Sequence, residues 1–494
     1  MKNYFTFHNP HHISESCGSH KLALLPQKLV VESDLDSLSE ADKLAVGVSA
    51  FFKGSSLRTA IFEHTQTILR NKVLKLISPS PTRWLTHGQC FERLIELLQP
   101  ALVALNSLYT DKEDFKALGF LLGMIQSNFL LSCLALHDIF KVLSLLTHWL
   151  QTSPADADIT RVPVLVKNTV EKLLYLSGEE DKKVSMTDRE LGEMKFSLEV
   201  FEKLSNEVQE FVISTPIAGS SRNRRDATDS DDKEAVFEDF NEEVFKPFAK
   251  EMADNIEESL VINPVCRAFA CLDVRNFPNS EEALEKFGED DLKVLTDWYG
   301  VARRGVFPDE RFEDQISNVD PIVNPGETRN EYKTFKKIMK SEQVKSDKQK
   351  QKSINDLEKK INKVSRNRNS GRDKRKVKGL EKEIAHLNQK EFNLSDVYLI
   401  LRKQDVGLIL PNIKTLVLLA TLSPVGNAVV ERLFSLLKIT KTVLRNRMGD
   451  QCLDLLLRIN KEAPETWTEE NKEDLVDLWV DRKKRSGKEF KLVL

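Results

Sequence analysis

Four groups of residues in this 494-residue chain have the types and spacing to do chemistry: a Cys/His pair, an Arg-Trp pair, a basic cluster and one glutamate. The Cys/His pair is Cys17-Gly-Ser-His20, a spacing with metal-ligand character. It either holds a zinc ion or contributes packing and hydrogen bonds. No second Cys/His pair follows at finger spacing, so we predict a structural role for Cys17 and His20 and no metal.

The Arg-Trp pair, Arg83 and Trp84, stands directly before a predicted apolar helix. Prolines at 79 and 81 favour an extended entry into that helix. A tryptophan in this place either belongs to the core or, where one indole face is exposed, stacks on a base. Core packing is the commoner role, and both residues are kept as candidate DNA contacts.

The basic cluster belongs to residues 336–392, where Lys and Arg dominate and Gly and Pro are nearly absent. Apolar residues recur there at three- and four-residue spacing, at Ile354, Leu357, Ile361 and Val364 and again at Val377, Leu380, Ile384 and Leu387. This spacing predicts two short heptad arms in an antiparallel helical hairpin. Lys374, Arg375 and Lys376 form a cluster of the nuclear-import or phosphate-contact type, although a solvated helix face has the same pattern.

The glutamate, Glu431, lies in an unusual segment that runs from Leu422 to Asn460. Apolar residues at helical spacing follow Ser423 and Pro424, which are a helix-start signal. A second apolar helix comes after Gly449 and Asp450. Two such helices joined by a short turn leave apolar surface that a partner, or the rest of the chain, must cover.

This segment resembles the C-terminal dimerisation region of the hAT transposase family. The resemblance rests on Glu431-Arg432-x-Phe434-Ser435, then Leu444-Arg445-Asn446-Arg447, then the apolar helix with Leu455 and Leu456. Upstream, Cys17-x-x-His20 with its leucine-rich continuation and the Thr-Arg83-Trp84 signature match the family as well.

The resemblance implies an RNase H-like core and a role for each matching residue. Glu431 would be the third member of an Asp-Asp-Glu triad that binds divalent metal, and Arg445 and Arg447 are further candidate DNA contacts. Self-association would use the apolar positions of the two helices, which are Leu433, Phe434, Leu437, Leu455, Leu456 and Ile459.

The two aspartates of that triad have no counterpart in this sequence. Two-metal phosphoryl chemistry holds its ions about 4 Å apart and needs several carboxylates. In the family both aspartates precede the Cys-x-x-His, whereas here sixteen residues precede Cys17 and none is Asp. The first strands of the core and the family's BED zinc finger have no counterpart either. We therefore expect Glu431 to be vestigial, with no cofactor, and Mg or Mn to bind only if an intact triad is supplied.

Three functions remain open from the sequence. The first is a non-catalytic, transposase-derived protein that self-associates through residues 405–460 and binds DNA weakly. The second is a fragment of an active transposase whose N-terminal part is missing. The third is a coiled-coil adaptor that uses the predicted hairpin as its binding arm.

Composition and charge indicate the cellular compartment of the protein and the classes of partner that it can bind. The net charge of −3 gives no bulk attraction for nucleic acid, so any binding must come from a local patch. Six scattered cysteines fit a reducing compartment, and together with the basic cluster they lead us to predict the nucleus. The apolar stretch around residues 118–150 contains His137, Asp138 and Lys141, which predicts helix packing and no membrane partner.

The expected fold class is mainly α, with a large all-helical insertion flanked by remnants of an RNase H-like α/β core. The predicted divisions are a core remnant at 1–84, the helical insertion at 85–335, the basic coiled-coil hairpin at 336–400, the hAT C-terminal region at 405–460 and a helix with a basic tail at 461–494. The two core remnants are expected to meet in space.

Overall fold

Helices make up most of the chain, which confirms the mainly α class predicted from the sequence. The computed structural model describes residues 8–13, 18–32, 35–77, 85–150, 158–215, 232–260, 263–307, 315–366, 371–389, 391–423, 436–440, 453–454 and 456–458. They belong to two compact units, residues 1–427 and residues 428–494, and each is described by itself.

The first unit begins with helices arranged around one apolar helix. In chain order these are α1 (Gly18–Glu32), α2 (Asp36–Lys53), α3 (Ser56–Ile68), α4 (Leu85–Glu96), α5 (Leu98–Lys112), α6 (Phe115–Met124) and α7 (Ser127–Leu150). Residues 131–140 of α7 are all buried, with Leu131, Leu134 and Ile139 completely so, and a run of ten residues covers all faces of a helix. A helix that is apolar all round must be surrounded, and α1, α2 and α4 all contact it.

Among the described helices, α7 alone has the length and composition of a membrane span. In its most apolar window, 83% of the residues are buried inside the protein. Core helices of water-soluble proteins share these properties. The absence of a membrane partner therefore stays a prediction.

A second group of helices packs on the other side of α7. These are α8 (Val162–Leu176), α9 (Asp188–Glu193), α10 (Leu198–Ser214), α11 (Lys233–Phe240) and α12 (Lys246–Ser259), with a π-helical turn at Asn241–Phe245 and 3-10 turns at Ile159–Arg161 and Glu180–Ser185. Of these, α8, α10 and α11 contact α7, and α12 packs between α8 and α1. Residues 18–32 therefore pack within this helical assembly.

A buried polar pair on α7 fixes the chain that leads into α10. His137 and Asp138 are 2% and 1% exposed, and His137 Nδ1 lies 2.7 Å from Asp138 Oδ1. The carboxylate of Asp138 also accepts hydrogen bonds from the backbone N–H groups of Lys195, at 2.8 and 3.0 Å, and Phe196, at 2.9 Å. Since buried carboxylates need such partners, the pair ties a connecting loop to the core.

The middle of the chain contains short helices and a β-hairpin. The elements are α13 (Pro264–Ala268), 3-10 turns at Phe269–Leu272 and Val274–Asn276, α14 (Glu281–Lys286), α15 (Glu289–Tyr299), β1 (Arg303–Phe307) and β2 (Gln315–Val319). The strands pair antiparallel, with Val306 opposite Ile316.

These two strands lie inside residues 85–335, which we expected to be all-helical, so that expectation is locally wrong. Each strand has only five residues. A run of that length shows too little periodicity to be separated from helix by sequence pattern. The β-branched Val306, Ile316 and Val319 favour the extended conformation once they are paired.

The first unit ends with a long helix and four shorter ones: α16 (Pro325–Arg366), α17 (Gly371–Gln389), α18 (Leu394–Leu401), α19 (Gln404–Ile409) and α20 (Pro411–Leu422). The start of α16 is buried through Tyr332, Phe335 and Met339. It contacts α15 and α20, where the backbone N–H of Ile413 donates to Glu331 Oε2 at 2.9 Å. A carboxylate at a helix N-terminus satisfies free N–H groups, so Glu331 orients α20 against α16.

In the second unit the structure describes three short stretches. Residues 436–440 form one helical turn, and residues 453–454 and 456–458 are also helical. Arg458 Nε donates to Asp454 Oδ2 at 2.9 Å, an ion pair one helical turn apart.

Candidate nucleic-acid interface

Exposed lysines follow one side of the long helix α16. They are Lys333, Lys337, Lys345, Lys348, Lys352, Lys359 and Lys363, hereafter the lysine row. At helical pitch these seven positions fall within an arc of about 120°, and the rise from the first to the last is about 45 Å. The row is therefore an elongated basic stripe.

The opposite side of α16 is closed by α17. Ile354 and Leu357 are both 6% exposed, and α16 and α17 contact each other. Lys350 Nζ donates to the carbonyl of Asn388 at 3.0 Å, which sets the two helices antiparallel. Because the apolar seam faces α17, the lysine row is left on the solvent side.

Charge in this region differs sharply from the rest of the chain. Residues 333–389 contain nineteen Lys and Arg against seven Asp and Glu, a net charge of +12 in a chain whose total is −3. Two lysines of the row have acidic neighbours on the same helix, Lys345 with Glu342 at 2.6 Å and Lys359 with Asp356 at 3.6 Å. Ion pairs between exposed side chains contribute little free energy. The electrostatic potential along the row therefore remains strongly positive.

Lys336, which lies outside the row, supports the fold. It is 3% exposed, and its Nζ donates to the carbonyls of Glu285 at 2.6 Å and Phe287 at 3.2 Å. The ammonium also lies 4.7 Å from the centroid of the Tyr332 ring. Burial lowers the pKa of Lys336, and the nearby carboxylates of Glu289 and Glu285 oppose that shift.

Lys340, one turn further along α16, has a similar role. Its Nζ donates to the carbonyls of Pro278 at 3.1 Å and Asn279 at 3.0 Å. Since Pro278 and Asn279 precede α14 while Glu285 and Phe287 close it, Lys336 and Lys340 hold the two ends of α14 against α16.

A buried cluster of two carboxylates is the other arrangement with chemical character. Asp158 and Asp273 both accept from Thr160 Oγ1, at 2.5 and 3.1 Å, and both are bound by the guanidinium of Arg275. Arg275 reaches Glu391 as well, from Nη1 to Oε2 at 3.4 Å. Burial disfavours the charge of Arg275, but its hydrogen bond to Asp273 and the charges of Asp273, Asp158 and Glu391 raise its pKa overall.

In this arrangement one arginine pairs with both buried carboxylates. A guanidinium between two acids makes charge-assisted hydrogen bonds and fixes their geometry. The cluster joins three separate stretches of chain, around residues 158–161, 273–276 and 391. Its role is therefore to hold the base of the α16–α17 hairpin to the body of the first unit.

Most residues predicted from the sequence as sites lie outside the described residues. These are Cys17, Arg83, Trp84, Glu431, Leu433, Phe434, Arg445, Arg447, Leu455 and Ile459. His20 is exposed in the first turn of α1, and Lys374, Arg375 and Lys376 lie within the helical span of α17. Leu437 is half-buried in the turn 436–440, and Leu456 is 39% exposed.

The lysine row itself was missed by sequence reasoning, although a signal was present. The helical wheel that places Ile354 and Leu357 in a seam also places Lys348, Lys352 and Lys359 about 150° or more from it. Reading the polar positions with the same period as the apolar ones identifies the row.

Two further sources of functional information are metal-binding side chains and similarity to known proteins. Over the part of the chain that the structure describes, no three His, Cys, Asp or Glu side chains come together in a way that could hold a metal ion. Comparison of the chain with family models, curated proteins and solved structures finds no match.

Proposed function

We propose that this chain is a non-catalytic, transposase-derived protein that self-associates through residues 405–460 and binds DNA weakly along the lysine row. In this proposal residues 1–84 and 405–460 derive from an RNase H-like core. The support for that origin is the order of the motifs at Cys17-x-x-His20, Arg83-Trp84 and Glu431-Arg432-x-Phe434-Ser435, which is the family's order.

The lysine row is the single observation that carries the DNA-binding part. Duplex DNA presents one negative charge per 3.4 Å on each strand, and cations that neutralise phosphates release condensed counterions. A stripe of exposed ammonium groups about 45 Å long suits such a polyanion. Contacts to phosphate position a protein without reading bases, so the binding should be independent of sequence and steeply dependent on salt.

The apolar face of α16 is already covered by α17, which argues against the coiled-coil adaptor. An adaptor arm needs an apolar face that is free for a partner helix. Ile354 and Leu357 are buried where α17 packs on α16. Among the large apolar residues of α16, Val344 is the exposed one that the structure describes, and the lysine row dominates the surface that remains available.

Fluorescence anisotropy with a labelled 30-base-pair duplex at 50 mM salt tests DNA binding. Replacing Lys352, Lys359 and Lys363 with Ala should weaken binding about tenfold or more, because roughly one counterion is released per phosphate contact. The control replaces three exposed lysines on α2, α10 and α12, namely Lys43, Lys203 and Lys250. An equal loss in both variants, or no binding by the unmodified chain, would contradict the assignment.

Exposed apolar residues support the self-association part. In the first unit Leu408 is 79% exposed, Ile409 61% and Leu422 68%, all within residues 405–460. In the second unit Ile439 is 73% exposed. Leu408 and Ile409 are neighbours on α19, and exposed apolar side chains that lie together are candidate contacts for a second molecule.

Light scattering after size-exclusion chromatography tests self-association. Replacing Leu455 and Leu456 with Glu, or Leu408 and Ile409 with Asp, should give a monomer or an aggregate, because charge cannot be buried without a partner. Ile213→Asp is the control, since Ile213 is 75% exposed but lies on α10. An unchanged dimer in both pair variants counts against the proposal.

The non-catalytic part rests on Glu431 being the one triad member in this sequence. A strand-transfer assay with Mg or Mn on candidate DNA ends should give no product. Turnover that disappears in Glu431→Gln would favour the alternative of an active transposase fragment. An open reading frame immediately upstream that encodes the missing aspartates and a zinc finger would point the same way.

Nuclear localisation is the last part of the proposal, and it rests on Lys374, Arg375 and Lys376 in α17. Basic clusters of this type act as import signals. A fluorescent fusion should be nuclear, and replacing the three residues with Ala should spread it through the cell. A fusion that is cytoplasmic before any substitution would overturn this part.

A further inference from the structure

A groove separates the lysine row from an acidic helix. It has a volume of about 900 Å³, and its walls are α14 with the start of α15 on one side and the first half of α16 on the other. Glu281, Glu285 and Glu289 line the first wall together with Lys286, so this wall carries a net negative charge. The second wall carries four lysines of the row, which are Lys333, Lys337, Lys345 and Lys348.

The acidic wall is held in place by lysines that are not in the row. Lys336 bonds to the carbonyls of Glu285 and Phe287, and Lys340 to those of Pro278 and Asn279. The buried side chain of Leu284, 7% exposed, anchors α14 from within. As a result α14 cannot swing away from α16 without breaking charged hydrogen bonds at both ends.

Glu281, Glu285 and Glu289 line the groove, which a phosphate would have to enter to reach the four lysines of the second wall. Glu281, Glu285 and Glu289 are exposed and recur every four residues. Their field extends over about 10 Å at 0.1 M salt, which is enough to cross a groove of this size. They therefore attract the four lysines opposite and reduce the net positive charge that the groove presents to an approaching polyanion.

The far half of the row has no such neighbour in the groove. Lys352, Lys359 and Lys363 are exposed and do not line the groove. They lie on the stretch of α16 that continues past Lys348 alongside α17. The structure thus divides the lysine row into a proximal half that shares the groove with Glu281, Glu285 and Glu289 and a distal half outside the groove, where Lys359 pairs with Asp356 at 3.6 Å.

We propose that α14 is a built-in acidic shield that keeps nucleic-acid phosphates off the proximal lysines, so that DNA binds through the distal half of the row. This inference rests on the proposed DNA binding and adds its regulation. In this proposal the shield keeps DNA binding weak although residues 333–389 carry a net charge of +12. Neutralising the glutamates of this wall, or displacing α14, would expose the whole lysine row to DNA. The binding surface would then be longer and the binding tighter.

The first test removes the charge of the shield. The variant Glu281→Gln, Glu285→Gln, Glu289→Gln should bind the same 30-base-pair duplex about tenfold more tightly at 50 mM salt. Its plot of log affinity against log salt should steepen by about 3 to 4, since four more lysines contact phosphates at about 0.9 per contact. The control Glu202→Gln, Glu210→Gln, Glu257→Gln makes the same change in net charge on α10 and α12 and should alter affinity less than about twofold.

The second test asks which lysines bind. Replacing the four proximal lysines with Ala should cost less than about threefold in the unmodified chain but about tenfold in the Gln variant. Replacing Lys352, Lys359 and Lys363 should weaken binding in both backgrounds. Circular dichroism melting of each variant checks that the fold is retained.

The outcomes separate the two proposals. If the unmodified chain binds DNA but the proximal and distal substitutions cost the same, the shield is wrong and the DNA-binding proposal stands. If the Gln variant binds and the unmodified chain does not, the shield is supported and the proposal of DNA binding by the unmodified chain fails. If neither binds, or if the control triple tightens binding as much as the shield triple, the shield is overturned.

Discussion

Arg275 and Asp273 are joined by two hydrogen bonds between their side chains inside the first unit, from Nε to Oδ1 at 2.7 Å and from Nη2 to Oδ2 at 2.9 Å, and the backbone N–H of Arg275 donates to Oδ1 at 3.0 Å. Asp273 is 1% exposed, and the same guanidinium also binds Asp158. A single cation therefore pairs with two buried acids. The chain after α17 is joined to the same cluster through Glu391, which contacts Arg275 and Arg161, and through the backbone N–H of Leu394, which donates to Asp158 Oδ2 at 3.4 Å.

Arg275→Met should lower the free energy of unfolding of the first unit by about 3 to 5 kcal/mol, because two buried carboxylates lose their partner. Urea denaturation followed by circular dichroism measures the change. Arg189→Met is the matched control, since Arg189 pairs with Glu193 on the surface and should cost less than about 1 kcal/mol. Equal midpoints for the two variants would refute the buried-cluster account.

Asp138→Asn should destabilise the first unit by about 2 to 4 kcal/mol. The carboxylate accepts three backbone hydrogen bonds from Lys195 and Phe196, and a neutral amide offers one acceptor oxygen while its NH₂ meets another donor. Thermal melting gives the effect, with the exposed Asp239→Asn as control. A melting temperature unchanged from the unmodified protein would show that the 194–197 connection does not depend on Asp138.

Gly288→Ala should be strongly destabilising, by about 3 kcal/mol or more, for two reasons that add. The backbone of Gly288 has φ of +73°, and an added Cβ would overlap the Tyr332 hydroxyl and lie 2.7 Å from Cys271 Cβ. Gly119→Ala is the contrast, because nothing lies within 4 Å of a Cβ there and α6 should gain about 0.5 to 1 kcal/mol. Urea midpoints that move in the same direction would contradict this reading.

Loss of the Cys90 thiol proton in the unfolded chain should lower the free energy of unfolding of the first unit above pH 9. Burial raises the pKa of the Cys90 thiol to about 11 from an ordinary value of 9.0, although the hydrogen bond to Ser49 opposes the shift. Between those values the unfolded chain loses the proton and the folded chain keeps it. The contribution is thus complete below pH 9 and disappears as the pH rises towards 11.

The loss should be about 2 to 3 kcal/mol, the free-energy equivalent of two pKa units. Urea midpoints of the unmodified chain and of Cys90→Ala, measured at pH 8 and pH 10.5, isolate this contribution. The unmodified chain should lose more between the two pH values. A parallel decline in both proteins would show that Cys90 does not titrate in this way.

The helical elements were largely predictable because their cause is local. Leu130, Leu134 and other apolar residues of α7 recur at helical spacing, and that spacing survives in any tertiary context. The β-hairpin was not predictable, since its stability comes from pairing Val306 with Ile316 across a connection. The cluster around Arg275 was not predictable either, because Asp158 and Glu391 are more than a hundred residues away in the chain.

The sequence by itself determined that this protein is mainly helical and that its basic charge is concentrated in one stretch. Only the tertiary structure decided which lysines are exposed, which ones hold α14, and which ones face carboxylates. The physical reason is that periodicity and charge are properties of neighbouring residues. The position of α14 across a groove from α16 depends on contacts between residues that are about fifty to sixty places apart.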